Sequence, residues 1–288
     1  LAIPPVRHHA RGPAPRGGGG EGGGGGEGGG EGATREVALS DGGVHVATPA
    51  HSAAEMNAQL DAGKHLILAP GMYSLAAPLL LTHPGQVLLG LGFATLTPLR
   101  GGAAVVLAAA GARLAGVLVQ AGPLRSRALV QVGDGEVHGT AGNPMVLSDV
   151  FVRVGGPGGE ARAGTMVQID AAGAVVDNMW LWRADHEADP AYYGGGGGAA
   201  ATNASIRDRD GRLTGVRFVD GGGASARTCE HGLVVGESAA NVTAYGLAVE
   251  HALGDQVVWK GDGGRTYFYQ SELPYDVTRD ELRARAAA

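Results

Sequence analysis

The chain has 288 residues, a formal net charge of −6 and one cysteine, Cys229, so it has room for one large domain or two small ones but cannot form an internal disulfide. A negative net charge without clustered Lys and Arg argues against nucleic-acid binding, because phosphates are neutralised by basic side chains. No apolar run reaches the ~18–20 residues that span a bilayer, so we expect no membrane partner.

Residues 1–45 form a Gly-rich segment of low complexity, with the run "GGGGEGGGGGEGGGEG" at its centre. Such a composition buries too little apolar surface to offset the entropy lost on ordering, so we expect a disordered tail or linker. The chain starts at Leu1 instead of Met and shows no typical signal peptide. We therefore expect a fragment or a processed form of a longer protein.

A helix is predicted soon after the tail. Ser52 stands three residues before Glu55, which is the spacing of a capping box. The apolar residues that follow are spaced for one helical face, and a glycine that can end the helix comes next. This pattern predicts a short helix over residues 53–62.

Short runs rich in Val, Leu and Ile follow the helix, separated by Gly, Asn, Asp and Pro, as is typical of strands of about 3–6 residues. Four phrases share an apolar pair, a turn and a second alternating strand: "VVLAAAGARLAGVLVQ", "VQIDAAGAVVDNMWLW", "VVGESAANVTAYGLAVE" and "VVWKGDGGRTYFYQSE". The last two phrases start 23 residues apart, a period typical of solenoid coils. We predict an all-β fold, a single-stranded right-handed parallel β-helix over residues 46–276 with short capping helices. An antiparallel sandwich is the alternative.

Two further segments depart from the coil pattern. Residues 187–230 are Gly-rich and longer than one coil, so we expect a loop inserted between coils that walls a groove, with one short strand at "GVRFV". Near the C-terminus, Thr278 stands three residues before Glu281, a second capping-box spacing. This spacing predicts a short helix within residues 277–288.

Two similar phrases, "GLAVEH" and "FYQSEL", each end near a carboxylate, and Glu250 and Glu272 are 22 residues apart. If the phrases are successive coils, their strands lie about 4.8 Å apart and both carboxylates share one face of a sheet. A slip of two residues would set Gln270 beside Glu250 and would keep the same face. The sequence therefore predicts a pair of neighbouring acidic side chains.

The residue types around this pair suit a sugar site. Carboxylates transfer protons, and close pairing raises the pKa of one of them, so the candidate catalytic residues are Glu250, Glu272 and Asp185. Aromatic rings stack on the apolar faces of sugars, and polar groups bind hydroxyls. The candidate substrate-binding residues are Trp182, Arg183, His186, His251, Gln270, Tyr275 and Asp276.

Each candidate also has a structural interpretation. We expect at least one of Trp180 and Trp182 to be a core residue. Arg183 and Asp185 could instead form a structural ion pair. The two glutamates could instead be a ladder of solvated side chains on the sheet surface. His251 has the alternative of a structural histidine. No histidine spacing resembles a zinc site, so we expect no metal and no cofactor.

Five phrases of the chain, "GKHLILAPGMYSL", "VLLGLGFATLTP", "NMWLWRADH", "VTAYGLAVEH" and "GGRTYFYQSELPYD", closely resemble a family of pectate-lyase-like β-helix proteins. That family is similar to the laminarinase-type exo-β-1,3-glucanases. The resemblance covers residues 50–276 apart from the insertion, and the chain departs from the family pattern at Asp262 and Ser271, where members carry Glu and Asn. It implies a right-handed β-helix, secretion and a role on polysaccharide.

The residues and the resemblance together favour a secreted, carbohydrate-active protein of the cell exterior or cell wall, a glycoside hydrolase acting on β-glucan. Glu272 or Glu250 would be the general acid and the other carboxylate would activate water, while Arg183, Asp185 and His186 would orient the substrate. One alternative is a non-catalytic glycan-binding or wall-structural solenoid. Another is a polysaccharide lyase, which needs a uronic acid substrate. The sequence leaves the oligomeric state open.

Overall fold

The computed structural model describes residues 42–156, 160–185 and 227–274. Most of the predicted N-terminal tail, most of the predicted inserted loop and the whole predicted C-terminal helix lie outside these residues. The described part contains one α-helix and fifteen β-strands, numbered below in chain order.

Two sheets contain all of these strands. The larger sheet consists of β1 (Val44–Ala47), β2 (His65–Leu68), β3 (Met72–Leu75), β5 (Val87–Pro98), β7 (Arg113–Gln120), β9 (Val146–Gly155), β11 (Val175–Ala184), β13 (Thr243–Glu250) and β15 (Arg265–Glu272). The smaller sheet consists of β4 (Leu79–Leu81), β6 (Val105–Leu107), β8 (Ser126–Val132), β10 (Ala161–Ile169), β12 (Arg227–Val235) and β14 (Val257–Trp259).

The strand order shows how the chain is wound. From β4 to β15 the chain passes alternately between the smaller and the larger sheet, and each strand pairs with the strand one coil later. The strand pairs of the described residues are parallel throughout. The prediction of parallel coils is therefore confirmed, and the antiparallel sandwich is wrong.

The helix α1 (Ala53–Asp61) precedes the coils. The side chain of Ser52 accepts a hydrogen bond from the backbone N–H of Glu55 at 3.2 Å, and the Glu55 carboxylate accepts one from the backbone N–H of Ser52 at 2.7 Å. This reciprocal pair is the predicted capping box. Met56 and Leu60 bury the apolar face of the helix. No helix in the described ranges is long and apolar enough to cross a membrane.

Six strands of the larger sheet, from β5 to β15, are longer than predicted, with 8 residues or more and up to 12 in β5. Five successive strands of the larger sheet, β7 to β15, each contain one residue of left-handed conformation. The strand bends at this residue, and the paired register continues on either side of it. These bend residues are Gly116, Asp149, Asn178, Gly246 and Phe268, with φ between 52° and 66°. We call the residues before the bend the first arm and those after it the second arm.

The interior of the solenoid is a stack of in-register apolar side chains. On the second arm, Val117, Val150, Met179 and Leu247 follow one another from coil to coil, and each is at most 1% exposed. Burying a side chain of this size stabilises the fold by roughly 1.5–3 kcal/mol. Because inward positions are filled in this way, the alternate positions of the same strands must face outward.

Two predicted boundaries need correction. Strand β1 begins at Val44, inside the predicted tail, because its alternating residues pair with β2 in a parallel ladder. Strand β12 begins at Arg227, inside the predicted loop of residues 187–230, because its first residues pair with β10. Cys229 lies in that strand and is fully buried, and burial raises the pKa of its thiol to about 12. A thiol in that environment is structural.

Candidate active site

The outward side chains near the end of the second arm come from five coils and lie in one row. Glu272 is in register with Glu250, Glu250 with Trp182, Trp182 with Arg153, and Arg153 with Gln120. We call these five residues the polar row. Adjacent members stand on neighbouring strands, about 4.8 Å apart.

The predicted pairing of Glu250 with Glu272 is confirmed, and the register has no slip. Gln270 lies opposite Ala248 instead of beside Glu250. Gln270 nevertheless contacts the pair, because its Nε2 donates a hydrogen bond to Oε1 of Glu272 at 3.2 Å. The structure thus brings together three of the residues that the sequence singled out.

His251 joins this group from the position just after β13. Its backbone has φ 63°, which is uncommon outside glycine, and its side chain is 1% exposed. The imidazole Nδ1 lies 2.8 Å from Oδ1 of Asp185, and Nε2 lies 3.3 Å from Oε2 of Glu272. The side chain of Asp185 is fully buried, whereas that of Glu272 is 42% exposed. His251 therefore bridges an interior carboxylate and a surface one.

The charges around His251 set its protonation. Burial alone lowers the pKa of its imidazole, since it disfavours the cation. The hydrogen bond and negative charge of Asp185, then the hydrogen bond to Glu272 and the charge of Glu250, act in the opposite direction and outweigh burial. The pKa of His251 is therefore raised above 6.5, and the protonated ring is favoured.

Arg183 supports this arrangement from the interior. Its Nε donates to the carbonyl of His251 at 2.5 Å, its Nη1 to the carbonyl of Arg227 at 3.3 Å, and its Nη2 contacts Oδ2 of Asp185 at 3.3 Å. The predicted ion pair of Arg183 and Asp185 is confirmed. Both side chains are 0% exposed, which corrects the expectation that they contact substrate directly. Among the described residues, His251 links this buried pair to the exposed Glu272.

The two tryptophans contradict the prediction. Residues i and i+2 of a strand face the same side, so Trp180 and Trp182 cannot be divided between core and surface. Both point outward, Trp180 is 39% exposed, and their rings stack with centroids 5.2 Å apart and planes 12° apart. The expectation that at least one is a core residue is wrong, and the pair forms an aromatic surface next to Glu250.

Three predicted site residues, His186, Tyr275 and Asp276, lie outside the described residues, so their roles stay predictions. Two residues that the sequence reading missed, Gln120 and Arg153, complete the polar row, and Arg153 Nε donates to Gln120 Oε1 at 2.6 Å. A signal for Arg153 existed, because "VFVRV" aligns residue by residue with "MWLWR" in neighbouring coils.

The same cluster offers ligands for a cation. One ligand atom each from Glu250, His251 and Glu272 lies within 4.8 Å of the other two, so these side chains could hold a metal ion. Histidine spacing in the sequence gave no indication of this grouping, because its members come from two neighbouring strands. The expectation of no metal stays a prediction.

The described residues form a solenoid of parallel strands. Its outer surface carries carboxylates, a histidine and stacked tryptophans close together, and these side chains are typical of a sugar site. The family model of the LAM55 pectate lyase-like domain matches residues 44–272. The chain therefore belongs to this family.

Similar proteins support the assignment to this family. An exo-β-1,3-glucanase from Streptomyces sp. (strain SirexAA-E / ActE) is 35% identical over 234 residues, which make up 81% of this chain and 33% of the relative. The solved structure of sacteLam55A from Streptomyces sp. SirexAA-E matches 79% of this chain and 35% of its own, with a TM-score of 0.64 and 34% identity. Its E502A variant in complex with glucose matches with the same TM-score and 32% identity. This chain thus spans about a third of the length of these relatives.

Proposed function

We propose that this protein is a glycoside hydrolase that acts on β-1,3-glucan outside the cell. We also propose that its coils are wound as a right-handed β-helix. The observation that carries the proposal is Glu272, a partly exposed carboxylate with both oxygens hydrogen-bonded, at the end of a row that contains Trp182, whose ring stacks on Trp180. Likeness to an exo-β-1,3-glucanase supports the substrate. The handedness follows the general preference of parallel crossovers.

Glu272 is the proposed proton donor. Hydrolysis of a glycosidic bond needs a proton on the leaving oxygen as the bond breaks. The exposed side chain of Glu272 can reach a bound sugar, while Gln270 and His251 fix the direction of its carboxyl group. An imidazolium beside a carboxyl group favours the ionised form, so Glu272 donates from the molecules in which its carboxyl group is protonated, and His251 then stabilises the carboxylate that remains. Asp185 in turn stabilises that imidazolium from the interior.

Glu250 has a different place in this proposal. In an inverting hydrolase the second carboxylate activates water on the opposite face of the sugar, roughly 6.5–9.5 Å from the acid. The ligand atoms of Glu250 and Glu272 lie within 4.8 Å of each other, on the same face of the sheet. This separation is too short for Glu250 to be the water-activating base of an inverting hydrolase, and we assign to it the binding of a sugar hydroxyl. Since the chain covers 33% of its curated relative, we propose that the water-activating group lies outside the described residues.

A test of the function incubates the purified protein with a panel of β-glucans and polyuronides. Reducing ends and the ultraviolet absorbance of unsaturated uronides are followed in the same samples. The proposal predicts new reducing ends from β-1,3-glucan without any absorbance. Reducing ends together with absorbance from a polyuronide would instead indicate a lyase. Retention of glucan without either signal would indicate a non-catalytic binding solenoid.

A further inference from the structure

A second row of outward side chains runs beside the polar row on the second arm. Trp180 is in register with Phe151, and Phe151 with Leu118. The ring of Phe93 on β5 stacks on Phe151, with centroids 5.1 Å apart and planes 22° apart. We call Phe93, Phe151 and Trp180 the aromatic row. It begins beside Trp182 of the polar row and continues across three further strands of the sheet.

Phe93 is the unusual member of this row. Its φ is 54° and it lies where the register of β5 shifts between Leu89 and Ala94. Bulky residues rarely adopt this conformation, because the side chain then crowds the backbone. Strand β7 lies between Phe93 and Phe151, and the two rings meet across it. An aromatic ring held in a strained conformation and left 49% exposed points to a ligand rather than to packing.

From these observations we propose that the aromatic row and the polar row together bind an extended β-glucan chain that runs along the solenoid axis. The proposal rests on the proposed function, because it extends that site away from Glu272. The rows span five strand spacings from β15 to β5, about 24 Å, which is room for several sugar residues. Rings that stack on one another leave their outer faces and exposed edges to successive sugars, and the adjacent polar row offers groups for the sugar hydroxyls.

The shape of the surface favours a polysaccharide over a protein. The apolar strip is one side chain wide, and Arg153 of the polar row flanks it, held by a hydrogen bond to the buried Gln120. A protein interface normally has a broad apolar centre with a polar rim around it. A linear chain of rings, each with apolar faces and hydroxyl edges, matches alternate rows of aromatic and polar side chains instead.

The test measures binding of short and long β-1,3-gluco-oligosaccharides to Phe93→Ala and Phe151→Ala variants. Both variants carry Glu272→Gln so that no oligosaccharide is hydrolysed. We expect the long oligosaccharides to bind about threefold to tenfold more weakly and the short ones to bind as before, because only the long ones reach the distal rings. Equal binding of long chains by the variants and their parent would overturn the proposal.

The matched control is Tyr267→Ala. Tyr267 is 52% exposed and stacks on Tyr245 with centroids 5.0 Å apart and planes 10° apart, but both lie on the first arm. This variant should bind long chains like its parent, and a loss equal to that of Phe93→Ala would also overturn the proposal. Thermal unfolding checks the fold of each variant. Should Phe93→Ala fail to fold, Phe93→Asn replaces it, since Asn tolerates left-handed backbone.

The outcomes separate this inference from the proposed function. Wild-type protein that binds long chains through Phe93 and Phe151 but releases no reducing ends would support the binding surface and refute the hydrolase. Wild-type protein that hydrolyses β-1,3-glucan, with Phe variants that keep the full dependence of affinity on chain length, would support the hydrolase and refute the binding surface.

Discussion

The Nδ1 atom of His251 lies 2.8 Å from Oδ1 of the buried Asp185, and this contact orients the ring so that its other nitrogen, Nε2, points to Glu272. The interior carboxylate thereby orients a cation against the surface carboxylate proposed as the proton donor. Arg183 completes the arrangement, since its guanidinium holds both the side chain of Asp185 and the backbone carbonyl of His251.

The raised pKa of His251 makes part of the stability depend on pH. A group whose pKa is higher in the folded than in the unfolded chain stabilises the fold fully below its unfolded value, here 6.5, and loses that contribution as pH rises through the folded value. The groups around the ring are the carboxylates of Asp185, Glu250 and Glu272 and the guanidinium of Arg183. We expect the Tm difference between wild type and His251→Asn to be largest just below pH 6.5 and to shrink above it. A difference that grows with rising pH would contradict this linkage.

Replacing Arg183 with Met should be strongly destabilising. The substitution leaves Asp185 as a buried charge with one of its partners removed, and breaking a buried pair in this way costs about 3–5 kcal/mol of unfolding free energy. Denaturant unfolding measures the change. The matched control is Arg125→Met, because Arg125 pairs with Glu230 at 3.0 Å while both side chains are more than half exposed. Its cost should be about 0–1 kcal/mol, and equal costs for the two variants would contradict the account.

The bend that separates the two arms can be tested at Gly116. An added Cβ there would lie 2.5 Å from the carbonyl oxygen of Gly90, and φ is 66°. Gly116→Ala should therefore lower the unfolding free energy by more than the roughly 1–2 kcal/mol that left-handed backbone costs an L-residue. Gly102→Ala is the control, since nothing lies within 4 Å of its Cβ position. It should change stability by about 0.5 kcal/mol at most.

The outward position of Trp180 predicts a substitution that alters substrate binding and leaves stability unchanged. Trp180→Ala removes a 39% exposed ring that stacks on Trp182 without opening the core. We expect KM for β-1,3-glucan to rise about threefold to tenfold with kcat and Tm close to wild type, since the lost contact binds ground state and transition state alike. Steady-state kinetics over a range of glucan concentrations checks this split. A large loss of Tm would instead mean that Trp180 is part of the core.

Repetition made the coils and the glutamate pair predictable. Phrases with a shared turn position predict stacked strands, and stacking places Glu250 beside Glu272 whatever the details of the turns. The bend was harder to predict, because the Gly, Asp and Asn residues at four of its five positions tolerate left-handed backbone but are also the residues that mark turns and strand ends. The sequence therefore predicted two short strands where the structure has one long strand with a bend.

The interior half of the site was hidden for a different reason. Strand alternation places Asp185 on the same side as Arg183, which is the interior, but it says nothing about a partner from another strand. A tight turn after β11, in which the backbone N–H of Asp185 donates to the carbonyl of Arg183 at 2.9 Å, sets the position of Asp185. Only the folded turn brings it to His251. The expectation for the tryptophans failed differently, through a miscount of parity that the sequence itself could have corrected.

The most direct test of the account is the hydrolysis of β-1,3-glucan by Glu272→Gln beside wild type and Glu250→Gln. The Glu272→Gln substitution keeps the size and shape of the side chain and removes the proton to be donated, although the amide replaces one of the two acceptor oxygens with a donor. We expect its rate of reducing-end release to fall about 100-fold to 10,000-fold, with Tm and glucan binding retained, and we expect a smaller loss for Glu250→Gln. Unchanged turnover in Glu272→Gln, with an intact fold, would contradict the assignment of Glu272 as the proton donor.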